Sequence, residues 1–169
     1  MTDQRELWDF ALRLYAEPGV SAACLTLQDG SGVDVPLLLF AAWLAANDTP
    51  LPGDEIARID GVVAEWREDV VKPLRSVRRR LKTGPHPSPT EQTELLRDGV
   101  KRVELQAEKI ELNVLWGEGR ALIDSARAAG GADSNLDRML YYFRGSQPDP
   151  NADQALTVIK RALGTGPAV

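Results

Sequence analysis

Two long apolar stripes in the middle of the chain constrain its fold more than any other feature. In both stripes, apolar residues recur at alternating steps of three and four, which keeps them on one face of an α-helix. The first stripe consists of Ile56, Ile59, Val63, Trp66, Val70, Leu74, Val77 and Leu81. The second consists of Leu96, Val100, Val103, Ala107, Ile110 and Val114. Because a short segment rich in proline and glycine separates them, the stripes predict a long antiparallel helical hairpin whose apolar faces pack like a coiled coil.

Pro73 interrupts the first stripe. Proline cannot donate the backbone hydrogen bond that an α-helix needs at this position. Since the apolar spacing continues past it, we expect a kink at Pro73 and a helix that resumes beyond it.

The remaining periodic segments are also typical of helices. Residues 7–15, about 20–28, about 135–144 and about 150–163 carry the spacing of amphipathic helices, and no segment alternates at period two for long enough to indicate a strand. The chain is therefore predicted to be all-α. We expect a single helical domain over residues 1–169, built as a bundle of about seven helices that includes the hairpin.

The most apolar segment, Val35–Ala46, predicts a helix buried on all sides. Asp34 is placed to cap it, and Pro36 falls in its first turn, where a missing N–H costs little. The run is shorter than the roughly 18 residues that a membrane span needs. We expect this helix at the centre of the bundle and no membrane association.

The termini and cysteine content predict a cytoplasmic location. The chain starts with charged residues and has no apolar leader region, so no signal peptide is expected. The single Cys24 cannot form a disulfide within the chain, which fits a reducing compartment.

Positive charge is concentrated between residues 72 and 82, which carry six basic residues and no acidic one. The net charge of −5 argues against nucleic acid as a partner. On a helix, the basic residues project from one side while Leu74, Val77 and Leu81 face the core. The first interpretation is a binding site for a small anion or a protein partner, formed by Lys72, Arg75, Arg78, Arg79 and Lys82.

The second interpretation of these basic residues is a solvated face that is paired across the hairpin. An antiparallel second helix would bring Glu91, Glu94 and Asp98 alongside it. The sequence leaves both interpretations open.

Several kinds of catalytic and metal site lack the residues they need. The only histidine, His86, lies between two prolines in a turn, so no nucleophile and base can be assigned and no catalytic residue is predicted. One histidine and one cysteine cannot form a zinc site. Glu104, Glu108 and Glu111 share a helical face, which we interpret as a solvated acidic face rather than a metal site. No phosphate-binding loop is present, and no cofactor is predicted.

The four tryptophans fall on four different predicted helices. They are Trp8, Trp43, Trp66 and Trp116. Such residues usually pack in a core, and a ligand pocket lined by them is the alternative.

The opening motif LWDFALRLYA, followed by WREDVVKPLRSVRRRLK and later by VELQAEKIEL, resembles a proteobacterial family of conserved hypothetical proteins that carry a domain of unknown function. The resemblance covers about residues 7–116 and leaves about 117–169 as a C-terminal helical extension. It implies a bacterial cytoplasmic protein and supplies no activity and no site residue.

Three hypotheses for function follow. The leading one is a non-enzymatic protein-interaction or regulatory module that binds a protein partner through the basic residues or a neighbouring groove. The alternative is a carrier or sensor that binds a small molecule or an anion between the tryptophan-bearing helices. The third is an enzyme that uses only carboxylates and arginines.

Overall fold

The computed structural model describes residues 5–125 and 131–165, and its regular elements are all helices. They are α1 (Arg5–Ala16), α2 (Val20–Ser31), α3 (Val35–Ala46), α4 (Gly53–Trp66), a π-helical turn (Arg67–Val71), α5 (Lys72–Leu81), α6 (Glu91–Ser125), a short 3₁₀ turn (Ala132–Ser134), α7 (Asn135–Arg144) and α8 (Pro150–Thr165). Since α4, the π-helical turn and α5 follow one another directly, the described residues form seven long helical segments. The predicted all-α class and helix number are confirmed.

The chain divides into two compact units, which are described separately. The first unit comprises Met1–Asp60 and Leu112–Val169, and the second comprises Gly61–Glu111.

Helix α3 forms the centre of the first unit. Its residues from Val35 to Leu44 are all buried, and α1 and α7 pack against it. The Asp34 carboxylate accepts a hydrogen bond of 3.1 Å from the Leu37 N–H, which caps the helix as predicted. Helix α8 packs along α2, so both C-terminal helices contribute to this core.

Asn135 fastens the loop between α3 and α4 to the start of α7. Its buried amide accepts a hydrogen bond of 2.7 Å from the Leu51 N–H and donates one of 2.8 Å to the Thr49 carbonyl. A loop that would otherwise leave two buried backbone groups unpaired is thereby held in place.

Helix α6 is longer than the apolar pattern indicates. The pattern loosens at Gly117 and Gly119, yet the helix continues to Ser125. A Cβ atom on Gly119 would overlap the ring of Trp43 and lie 2.7 Å from Cε2 of Phe40. This glycine therefore permits close packing of α6 on α3 and does not end the helix.

The second unit contains the predicted antiparallel hairpin, formed by the end of α4, the π-helical turn, α5 and the first part of α6. The indole N–H of Trp66 donates a hydrogen bond of 3.0 Å across it, to the Ala107 carbonyl. The helix resumes beyond Pro73 as expected. The irregularity that we expected as a kink is a π-helical turn just before Pro73, in which the Lys72 N–H donates to the Arg67 carbonyl.

Candidate interaction surface

Ion pairs fill the seam between the two helices of the hairpin. Arg75 Nε donates to Glu104 Oε1 at 3.1 Å, and Arg75 Nη2 donates to Glu108 Oε1 at 2.7 Å. Arg78 also binds Glu104, with Nη2 at 3.2 Å from Oε1. Only 9% of Arg75 and 5% of Glu104 is exposed. The inner side of the hairpin therefore contains ion pairs at this level.

This seam corrects two expectations. The carboxylates at 104, 108 and 111 are not a solvated acidic face, because Glu104 and Glu111 are buried and Glu108 is half-buried. The orientation expected for α5, with Leu74, Val77 and Leu81 facing the core, is also wrong. Arg75 points inward between the helices instead.

Protonation in the seam is governed by competition between burial and pairing. Burial acts to raise the pKa of Glu104, but hydrogen bonds from Arg78 and Arg75 outweigh it, so this pKa lies below its ordinary value. Burial acts to lower the pKa of Arg75, but Glu108 and Glu104 outweigh it and leave this pKa raised. The two groups therefore remain charged at neutral pH.

Most residues of the two apolar stripes within this unit lie one residue before the inward-facing positions, whereas Val63 and Ala107 are themselves buried. Leu74 precedes Arg75, Val77 precedes Arg78, and Val103 precedes Glu104. One residue turns an α-helix by about 100°. When two antiparallel helices face each other, the residues one position before the facing residues point to the same side of the pair in both helices. Both stripes therefore contribute to one side of the hairpin.

We call this side the apolar face. Its row on α4, the π-helical turn and α5 consists of Val62, Trp66, Val70, Leu74, Val77 and Leu81. Its row on α6 consists of Leu96, Val103 and Ile110. The exposed fraction is 48% for Val77, 57% for Leu96, 48% for Val103 and 48% for Ile110. The predicted packing of the stripes against each other, as in a coiled coil, is wrong for these four residues, whereas Val63 and Ala107 are buried.

The five basic residues of the candidate anion or partner site do not share one surface. Arg75 and Arg78 point into the seam, whereas Lys72, Arg79 and Lys82 are exposed. Lys72 Nζ lies 2.6 Å from Glu68 Oε1. Pairing across the hairpin does occur, but its acidic partners are Glu104 and Glu108 rather than those near residues 91–98.

The tryptophans are distributed over both units. Trp43 is fully buried, with its ring centroid 6.3 Å from that of Phe40. Trp8 and Trp116 are half-buried in the first unit, whereas Trp66 belongs to the second. A ligand pocket lined by tryptophans remains a prediction.

A pocket that sequence analysis missed lies on the first unit. It is open to solvent, has a volume of about 570 Å³, and is lined by Gly53, Asp137, Arg138, Tyr141, Tyr142 and Gly145. The Tyr142 hydroxyl donates a hydrogen bond of 2.8 Å to Asp60. The two tyrosines carry no sequence signal of their own, because exposed tyrosines on a short amphipathic helix are common.

Other chemical features of the described residues are few. Cys24 is buried, and burial raises the pKa of its thiol to about 12. Over residues 5–125 and 131–165, no group of three His, Cys, Asp or Glu side chains is placed to hold a metal ion. None of the helices in these ranges combines the length and the apolar character needed to cross a membrane.

Comparison with known proteins gives a match to a family model. The model of a family described as protein of unknown function (DUF2390) matches residues 6–115, which is more than half of the chain and agrees with the extent of the resemblance. No curated protein and no solved structure matches the chain significantly.

Proposed function

We propose that this chain, which belongs to the DUF2390 family, is a protein-interaction module and that the apolar face of its hairpin is the surface that binds the partner. The observation that carries the proposal is the arrangement of residues in the second unit. Charged Arg75 and Glu104 occupy its interior, while Val103 and Ile110 are half-exposed beside them.

This arrangement leaves apolar area in water that an ordinary amphipathic hairpin would bury. Removing apolar surface from water stabilises a complex by about 25 cal/mol per Å². A contiguous apolar face on a protein surface is typical of a site that binds another protein. The face is also two helices wide, which suits a helical partner.

The ion pairs of the seam support the same function. The Arg–Glu contacts hold the two helices in one register while the residues of the apolar face stay half-exposed; the apolar residues that this unit buries are others, such as Val71 and Ala107. Buried ionic groups of this kind are best known for fixing register. We therefore propose that the ion pairs of the seam hold the two helices together and that the apolar face binds the partner.

A pair of matched substitutions tests the proposal. Val103→Glu places a charge in the apolar face, whereas Leu105→Glu places it elsewhere on α6, at a residue that is 50% exposed and so comparable. With the purified chain as bait and mass spectrometry of bound proteins, we expect wild type and Leu105→Glu to retain a partner that Val103→Glu loses. A partner retained by all three proteins, or lost equally by both variants, would place the binding surface elsewhere.

A second candidate function is the binding of a small molecule in the pocket beside Tyr141 and Tyr142. The pocket volume of about 570 Å³ lies in the range of ligand sites. Screening metabolites by the thermal stability of wild type and Tyr141→Ala tests it. A compound that stabilises wild type and leaves the variant unchanged would support this function, and stabilisation of both would contradict it.

A further inference from the structure

We infer that the apolar face binds a second copy of this chain, with α6 of one copy antiparallel to α6 of the other and two hairpins forming a four-helix arrangement. This inference rests on the proposed function, because it identifies the partner of the same face. Three properties of the face argue for it: its spacing, the level of its two rows and the charges along its edge.

The row on α6 is complementary to itself in the antiparallel direction. Leu96 and Ile110 each lie seven residues from Val103, on opposite sides of it. Seven residues are close to two helical turns, so the three side chains point the same way. In an antiparallel pair centred on Val103, Leu96 of each copy meets Ile110 of the other, and the two Val103 side chains meet at the two-fold axis.

The row on α4, the π-helical turn and α5 is also symmetric about its centre, and that centre lies at the same height along the hairpin as Val103. Val70 and Val77 are equally spaced about a point next to Leu74, and so are Trp66 and Leu81. Leu74 and Val103 directly precede Arg75 and Glu104, which bind each other. A single two-fold axis can therefore pass through the centres of both rows.

The charges along the outer edge of α4 and α5 favour the antiparallel direction. Glu65 and Asp69 are exposed toward one end of this edge, and Arg80 is exposed toward the other. The same two-fold axis brings Arg80 of one copy to the level between Glu65 and Asp69 of the other. Opposite charges that meet across the pair favour association in this direction.

The size of the face indicates how tight the pair can be. At 1.5 Å per residue and about 10 Å between helices, the face measures about 25 Å by about 20 Å. The pair would then bury roughly 1,000 Å² in total, below the roughly 1,200–2,000 Å² of stable interfaces and in the range of weak, transient ones. We expect a dimer that forms reversibly with protein concentration.

Sedimentation equilibrium over a range of protein concentrations tests the inference. We expect wild type and Leu105→Glu to dimerise with similar dissociation constants. Val103→Glu should weaken dimerisation at least 100-fold, since it brings two carboxylates together at the axis. Circular dichroism of each protein shows whether the helices are retained. A wild type that stays monomeric up to millimolar concentration, or a Val103→Glu variant that dimerises as wild type does, would overturn the inference.

Charge-reversal and cysteine variants test the direction of the pair. Arg80→Glu should weaken the dimer several-fold, and adding Glu65→Lys and Asp69→Lys to it should restore the dimer, because the opposite charges again meet. Val103→Cys should form a disulfide between copies on oxidation, whereas Leu105→Cys should not. Absence of the Val103→Cys cross-link in a dimeric protein would overturn the antiparallel arrangement.

The same experiments distinguish a failure of this inference from a failure of the proposed function. A monomeric chain that still captures another protein through Val103 keeps the function and loses this inference, whereas a chain that associates with neither loses both.

Discussion

Arg75 and Glu104 meet at 3.1 Å between two helices, at a position where the sequence pattern places apolar side chains. Each of the two residues follows an apolar residue that faces away from the seam. The pair therefore decides which apolar side chains of the hairpin remain exposed.

Removing one member of this pair should destabilise the fold strongly. Glu104→Ala leaves Arg75 and Arg78 buried or half-buried without their shared acceptor, which costs about 3–5 kcal/mol. Urea unfolding of the two proteins measures the difference. Lys72→Ala is the control, because its pair with Glu68 lies at the surface and should contribute less than about 1 kcal/mol. Equal losses in both variants would show that the seam is no more important than a surface pair.

The same carboxylate should make stability depend on acidic pH. The pKa of Glu104 is lowered in the folded chain, so its contribution to the free energy of unfolding is present above the unfolded pKa of about 4.3. That contribution is lost as the pH falls through the lower folded pKa. Unfolding midpoints measured from pH 7 to pH 2.5 should therefore fall less steeply in Glu104→Gln than in wild type. Parallel curves would contradict this assignment.

Gly119 should not tolerate a side chain. A methyl group there overlaps Trp43 and presses on Phe40, so Gly119→Ala should lower the free energy of unfolding by about 1–3 kcal/mol despite the higher helix propensity of alanine. Gly117→Ala lies two residues earlier on the same helix, in open space, and should raise stability by up to about 1 kcal/mol. Thermal unfolding of both variants checks the opposite signs.

Cys24 should be inert in the folded chain. Burial raises the pKa of its thiol to about 12, so almost no thiolate is present at pH 8. A chromogenic disulfide reagent should react with one thiol per chain at once in denaturant and only slowly without it. Rapid reaction of the native protein would mean that the region around α2 opens readily.

Periodicity predicts the helices well and their inward sides less well. Val35–Ala46 has apolar residues all round, so it can only be buried, and the structure agrees. In the hairpin, by contrast, an apolar row and a charged row lie about 100° apart on each helix, and both keep helical spacing. The usual rule that charged side chains remain outside selects the wrong row, because Arg75 and Arg78 find carboxylates in the second helix. That pairing depends on how two segments far apart in the sequence align with each other. The local pattern of apolar residues in either segment does not predict this alignment.

The π-helical turn at Arg67–Val71 has a consequence for the length of this segment. Val63, Arg67, Val71 and Arg75 are buried and are spaced by four residues, and in a regular α-helix each such step drifts by about 40° around the axis. A turn whose hydrogen bonds span one more residue takes up this drift. Deleting a single residue there would rotate Arg75 and Arg78 by about 100° away from Glu104, whereas exchanging an exposed side chain such as Asp69 would not. The number of residues in this segment thus sets the direction in which Arg75 and Arg78 point relative to the helix before the turn. That number is constrained more tightly than the identity of the residues.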